Sequence, residues 1–191
     1  MTARLVIMGP QGSGKGTQAA RLAERLGVPA ISTGDIFRAN ITGGTELGVL
    51  AQKYTATGEL VPDSVTNDMV RDRLSQGDAA DGFILDGYPR NAAQVGELDE
   101  ILAAQGASLD AVLELTADRD ELLARLGRRA RIEGREDDTE TAIARRLDIY
   151  ADQTAPLTRA YADHGVLVQV DGIGDMDEVT ERLVTALEGR V

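Results

Sequence analysis

Residues 4–17 read Arg-Leu-Val-Ile-Met-Gly-Pro-Gln-Gly-Ser-Gly-Lys-Gly-Thr. A short apolar run, Leu5 to Met8, passes directly into a glycine-rich loop with one lysine, Lys15. The stretch that follows carries Leu22 and Leu26 one helical turn apart. A strand, then such a loop, then a helix is the context a phosphate-binding loop requires. Glycines let backbone N–H groups turn inward around an anion. The helix adds its first N–H groups and the positive end of its dipole. Lys15 can then reach terminal phosphates. The alternative, a strand-to-helix turn without a ligand, is set aside on the spacing, the lysine and the flanking elements. One feature departs from the usual pattern: Gly16 stands where Ser or Thr commonly offers magnesium a hydroxyl, and Thr17 comes next.

Working outward, further apolar runs recur at Phe83 to Leu85, Val112 to Leu115 and Val166 to Val170, with a weaker one at Val28 to Ile31. Continuous runs of this kind fit strands buried on both faces. The stretches between them predict helices at about 15–26, 35–56, 63–76, 91–104, 118–130, 138–163 and 175–188. Such alternation predicts an α/β, three-layer P-loop NTPase fold, with a parallel five-stranded sheet flanked by helices. More than one helix falls between Ile31 and Phe83, so residues 32–61 are expected to form a helical insertion. Residues 127–138 are highly charged and punctuated by glycine, which reads as an exposed loop between helices. The core is then 1–31, 62–126 and 139–191.

Composition narrows the chemistry. The 191-residue length suits one domain with small insertions. No cysteine is present, which excludes disulfides, thiolate zinc sites, iron–sulfur clusters and a cysteine nucleophile. His164 is the one histidine, so a multi-histidine metal site is excluded as well. The net charge of −12 and the 3% aromatic content count against a nucleic-acid surface. Yet 18 of the 20 basic residues are arginines, and eight of those lie between Arg119 and Arg146. An acidic chain with one arginine-dense segment points to a local anion site. No apolar run approaches the roughly 18 residues that span a bilayer. A cytoplasmic protein is expected.

Taken together, the motifs resemble those of the adenylate kinases, over nearly the whole length and in the same order. The matching pieces are Gly-Ser-Gly-Lys-Gly-Thr (12–17), Ser-Thr-Gly-Asp (32–35) with Arg38, Gly-Glu-Leu-Val (58–61), and Asp-Gly-Tyr-Pro-Arg (86–90) with Gln94. Gly-Arg-Arg (127–129), Arg135 with Asp137 and Asp138, and Arg146 follow. The resemblance implies Mg²⁺-dependent conversion of ATP and AMP to two ADP, a role in adenine nucleotide homeostasis and purine salvage, and a monomer. It implies that 32–61 binds the nucleoside monophosphate and that 127–138 is a lid of the short form, without zinc. Carried over, Gly12, Ser13, Gly14, Lys15, Gly16, Thr17, an arginine at the lid start (Arg128 or Arg129, with Arg131 a third candidate) and Gly174 would hold ATP. Thr33, Arg38, Glu59, Leu60, Val61, Gly87, Tyr88, Pro89, Arg90 and Gln94 would hold AMP. Arg135 and Arg146 would reach the phosphates of both, and Lys15, Arg90, Arg128, Arg135 and Arg146 would be the catalytic set. A UMP/CMP kinase of the same fold is the nearest alternative, and a nucleotide-dependent switch is the alternative from another class.

The residues support much of this independently. Phosphoryl transfer needs alignment and charge neutralisation more than acid–base chemistry. ATP carries roughly four negative charges, AMP roughly two, and Mg²⁺ returns two; six basic side chains leave the sum close to balance. Arginine's planar fork suits phosphate. On the helix carrying Ile143, Leu147 and Tyr150, Arg146 sits about 60° from Ile143 and Arg145 about 160° away, so Arg146 borders the buried face. Asp86 ends a buried strand, well placed to orient magnesium through its waters. Gln94 lies one helical turn beyond Arg90 and offers donor and acceptor to a base edge.

Overall fold

The computed structural model describes residues 2–133 and 138–191. Five parallel strands, β1 (Ala3–Met8), β2 (Ala30–Ser32), β3 (Gly82–Asp86), β4 (Ala111–Thr116) and β5 (Leu167–Asp171), form one sheet in the order β2-β3-β1-β4-β5. The glycine-rich loop therefore leaves the central strand. In register, Ile7 stands beside Asp86 on β3, and Asp86 beside Ser32 on β2, so β1, β2 and β3 end within a residue of one level.

Alternation along β1 explains the two cores. Leu5 and Ile7 face α1 (Lys15–Leu26) and α9 (Met176–Leu187), packing with Leu22, Leu183 and Leu187. Val6 and Met8 face the other way, towards α4 (Asp63–Leu74), α5 (Ala92–Ala104) and α8 (Leu157–Asp163), where Val70, Leu98, Leu102 and Tyr161 lie. Every β1 residue from Leu5 to Met8 is buried. Such two-sided burial is why the run reads as continuously apolar.

Residues 32–61 form a helical unit, but not with the one long helix expected over 35–56. It contains α2 (Thr33–Thr42) and α3 (Glu46–Thr55), separated at Gly43-Gly44, and Phe37, Ala51 and Val61 make its own small core. Ser32 caps α2, its Oγ accepting from the Asp35 N–H at 3.2 Å. The two helices meet at Gly48, where a Cβ would fall 2.1 Å from the Asn40 carbonyl oxygen. Gly48→Ala must therefore push α3 off α2. The expected cost is about 1–3 kcal/mol, read as a lower urea midpoint; an unchanged midpoint would contradict the close approach.

Two more boundaries differ from the sequence reading. The expected helix over 138–163 is α7 (Glu140–Ile149), a wide turn at Tyr150–Thr154 and then α8. Pro156 lacks the N–H a continuous helix would use, and Ala155 N–H reaches back to the Tyr150 carbonyl at 2.7 Å. The stretch from Gly127, read as loop, continues α6 (Arg119–Glu133) as far as Glu133. Its arginines, alanine, isoleucine and glutamate are all compatible with a helix, and the single Gly127 does not stop it. No helix among the described residues is long and apolar enough to cross a membrane.

Candidate active site

A cleft of about 550 Å³ opens where β1, β2 and β3 end, bounded by the glycine-rich loop, α2, the 58–61 segment, α6 and α7. Lys15, Arg38, Arg90, Arg125, Arg129 and Arg146 line it, against Asp35, Glu59 and Asp86. A wall richer in cations than in carboxylates, within a chain of net charge −12, marks an anion site.

On one wall lies the loop. Gly14 caps α1 at φ 95°, a left-handed conformation open to glycine, and presents the first helical N–H groups to the cleft. Lys15 Nζ donates to the Gly9 and Pro10 carbonyls at 2.7 and 3.1 Å. Burial pulls its ammonium down to about 8, the nearby Arg90 and Arg129 add to the fall, and Asp86 opposes it. Gly12, Gly14, Gly16 and Thr17 line the cleft. Ser13 does not; it is buried behind the loop, its N–H donating to the Pro10 carbonyl at 3.1 Å.

The opposite wall is built by β3, α2 and α5. After Asp86 the chain turns through Gly87 and a cis Tyr88–Pro89 bond. Arg90 folds back so that its Nε donates to the Gly87 carbonyl at 2.7 Å. Burial lowers the Arg90 pKa, countered by Asp86, and Arg146 and Arg38 lie near enough to lower it further. Thr33 is buried, its hydroxyl donating to the Gly87 carbonyl at 3.1 Å, and Arg38 pairs with Asp35. Thr154, in the wide turn, donates to the Arg90 carbonyl at 2.7 Å. Leu60, Val61, Tyr88, Pro89 and Gln94 complete this wall. Glu59 lines it too, with its carboxylate held by Arg145 at 2.6 Å.

Between the walls, Asp138 gathers the arginines. Its side chain is fully buried and accepts from Arg129 Nε at 2.8 Å, Arg146 Nη1 at 3.0 Å and Gln11 Nε2 at 3.1 Å. Arg146 also donates to the Thr55 carbonyl at 3.0 Å, tying α7 to the helical insertion. One buried carboxylate thus holds two guanidiniums at the edge of the cleft. In the sequence Asp138 stands out only as part of a motif with Arg135 and Asp137.

The family model for adenylate kinase matches residues 7–166. This chain belongs to the adenylate kinase family. The adenylate kinase of Kocuria rhizophila is 65% identical over 185 residues, covering 97% of this chain and 98% of that protein. Those of Pseudarthrobacter chlorophenolicus and Thermobifida fusca are 60% and 56% identical, covering 97% and 98% of this chain and 96% and 99% of their own lengths.

The adenylate kinase motifs do not all converge. Arg128 is not brought to the cleft: its side chain is 61% exposed and lies 3.5 Å from Glu121. Arg125 and Arg129 are brought there instead. The reason is helical. Leu122 and Leu126 bury one face of α6. Measured from the middle of that face, Arg129 lies about 40° away and Arg125 about 80°, while Arg128 lies about 140° away. Arg125 donates to the Gly172 carbonyl at 3.1 Å and pairs with Glu121. Gly174 is not among the residues lining the cleft, and its neighbours are Glu178 and Arg182. Arg135 and Asp137 lie outside the described residues, and the Arg131 side chain is likewise not described.

Proposed function

We propose that this enzyme transfers the terminal phosphoryl group of ATP to AMP, reversibly, giving two ADP, and that it works as a cytoplasmic monomer serving adenine nucleotide balance. The observation that carries this reading is the cleft itself: a phosphate loop with Lys15 on one wall faces an arginine-lined pocket ending at Gln94 on the other. Residues 32–61 are proposed to close over the acceptor nucleotide, and 127–138 over the donor.

In the reaction an AMP phosphate oxygen attacks the terminal phosphorus of ATP. That P–O bond forms as the bond to the ADP leaving oxygen breaks. The acceptor is already ionised, so no general base is needed and none is assigned. Lys15 and the loop N–H groups hold the donor phosphates, Arg38 and Arg90 the acceptor phosphate, and Arg129 and Arg146 the group in transit. Drawing these arginines inward excludes water, the competing acceptor.

Mg²⁺ fits this donor set. Among the described residues no group of three or more acidic or histidine side chains stands close enough to hold a metal alone. One strand-end carboxylate, Asp86, faces the cleft beside Gly16. A single carboxylate with nucleotide phosphates and water is an ordinary Mg²⁺ environment. Asp86 would hold it through water, and the ion would offset phosphate charge.

Presenting AMP, CMP, UMP and GMP in turn with ATP, and identifying the diphosphate formed, tests the proposal. ADP from AMP is expected at the highest kcat/KM; preferential formation of CDP or UDP would assign the cleft to a pyrimidine acceptor. The loop lysine adds a pH signature. Below about 8 Lys15 is charged, and above it the free enzyme loses that charge. The kcat/KM for ATP is therefore expected to fall as one ionisation above about pH 8, while bound phosphates hold the proton and move the fall in kcat higher. A kcat/KM profile flat beyond pH 9.5 would contradict this.

A further inference from the structure

Gln94 is 2% exposed, and both ends of its carboxamide are held by groups of fixed character. Its Oε1 accepts from the Arg90 backbone N–H at 2.8 Å, a group that only donates. Its Nε2 donates to Asp63 Oδ1 at 2.8 Å, a carboxylate oxygen that only accepts when ionised. Flipping the amide would set NH₂ against N–H and C=O against carboxylate, so Asp63 and Arg90 together dictate its orientation. Asp63 is itself fixed. It begins α4, and the same Oδ1 accepts from Asn91 Nδ2 at 3.0 Å. Asn91 in turn caps α5, its Oδ1 accepting from the Gln94 N–H at 2.9 Å.

The remaining capacity of Gln94 is one N–H on Nε2 and one lone pair on Oε1, and Gln94 lines the cleft. That pattern complements a base edge carrying an exocyclic amino donor beside an unprotonated ring nitrogen. It opposes an edge carrying a carbonyl beside a ring N–H. Asp63 does not line the cleft, so it acts through Gln94.

We propose that Asp63 is a specificity-determining positioning residue: by locking the Gln94 carboxamide it selects 6-aminopurine over 6-oxopurine monophosphates. This rests on the acceptor pocket being the purine monophosphate site proposed above.

The test compares kcat/KM for AMP and for IMP, which differ only at purine position 6 and the adjoining ring nitrogen. With Asp63→Ala the AMP-over-IMP ratio is expected to fall about ten- to a hundredfold. The KM for AMP rises, and kcat at saturating AMP stays within about threefold of wild type. Asp63→Asn keeps an oxygen acceptor for Gln94 and is expected to restore the ratio. If Asp63→Ala does not fold, Asp63→Leu, which also lacks an acceptor, is read in its place. A role confined to tying α4 to α5 would lower the melting temperature and shift both substrates alike. A folded Ala or Leu variant with the wild-type ratio overturns the inference. If the wild-type enzyme itself shows no preference for AMP, the reading of the pocket fails instead.

Discussion

Lys15→Met is expected to lower kcat by about 10²–10³-fold or more, with the fold intact. The magnitude is that of removing one pre-positioned charge from a developing transition state in a site shielded from water. Stability is not expected to suffer. Burial depresses the Lys15 pKa, so the charged form is disfavoured where it sits. Stability carried by such a group rises with pH between its folded and unfolded values, and at neutral pH the ammonium weighs against folding. Methionine keeps the aliphatic length without the charge. The checks are steady-state kinetics beside a thermal melt. A variant with near-wild-type turnover would remove Lys15 from the chemistry; an unfolded one would contradict the burial argument.

The second large effect separates two adjacent arginines. Arg129→Ala is expected to cost about 10²–10³-fold in kcat, because its guanidinium lies in the cleft on Asp138. Arg128→Ala is expected to stay within about threefold of wild type, since exposed ion pairs such as that with Glu121 are worth little. Equal losses at both positions, or the larger loss at Arg128, would contradict the placement of α6. Kinetics on the two variants, with matched melting temperatures, decide it.

That contrast shows where the sequence was sufficient and where it was not. The phosphate loop was legible because glycine spacing, lysine and flanking periodicity all agree, and β1 with α1 forms as expected. Arg146 was legible because Ile143 and Leu147 mark the buried face of its helix. The same arithmetic applies to Arg129 beside Leu126, but the charged, glycine-punctuated composition from Gly127 onward reads as loop, and Arg125 belongs to none of the matching motifs. Asp138 was harder to see. Its burial depends on Gln11 and Arg146, far apart in sequence, arriving at one carboxylate. The partners of Gln94 were similarly hidden. Asp63 reads as an ordinary acidic first-turn residue, and only the packing of α4 on α5 brings it to the amide. The breaks in the long helical stretches follow from local chemistry, Gly43-Gly44 in one case and Pro156 in the other.

The central claim is that one cleft holds two nucleotides with their phosphates meeting between Lys15 and the arginines. It is tested most directly by calorimetric titration with a bisubstrate analogue, two adenosines joined through a five-phosphate chain. One molecule is expected to bind per chain, far more tightly than ATP, and to be displaced by ATP and by AMP alike. An analogue that binds no better than ATP and ignores AMP would contradict the claim.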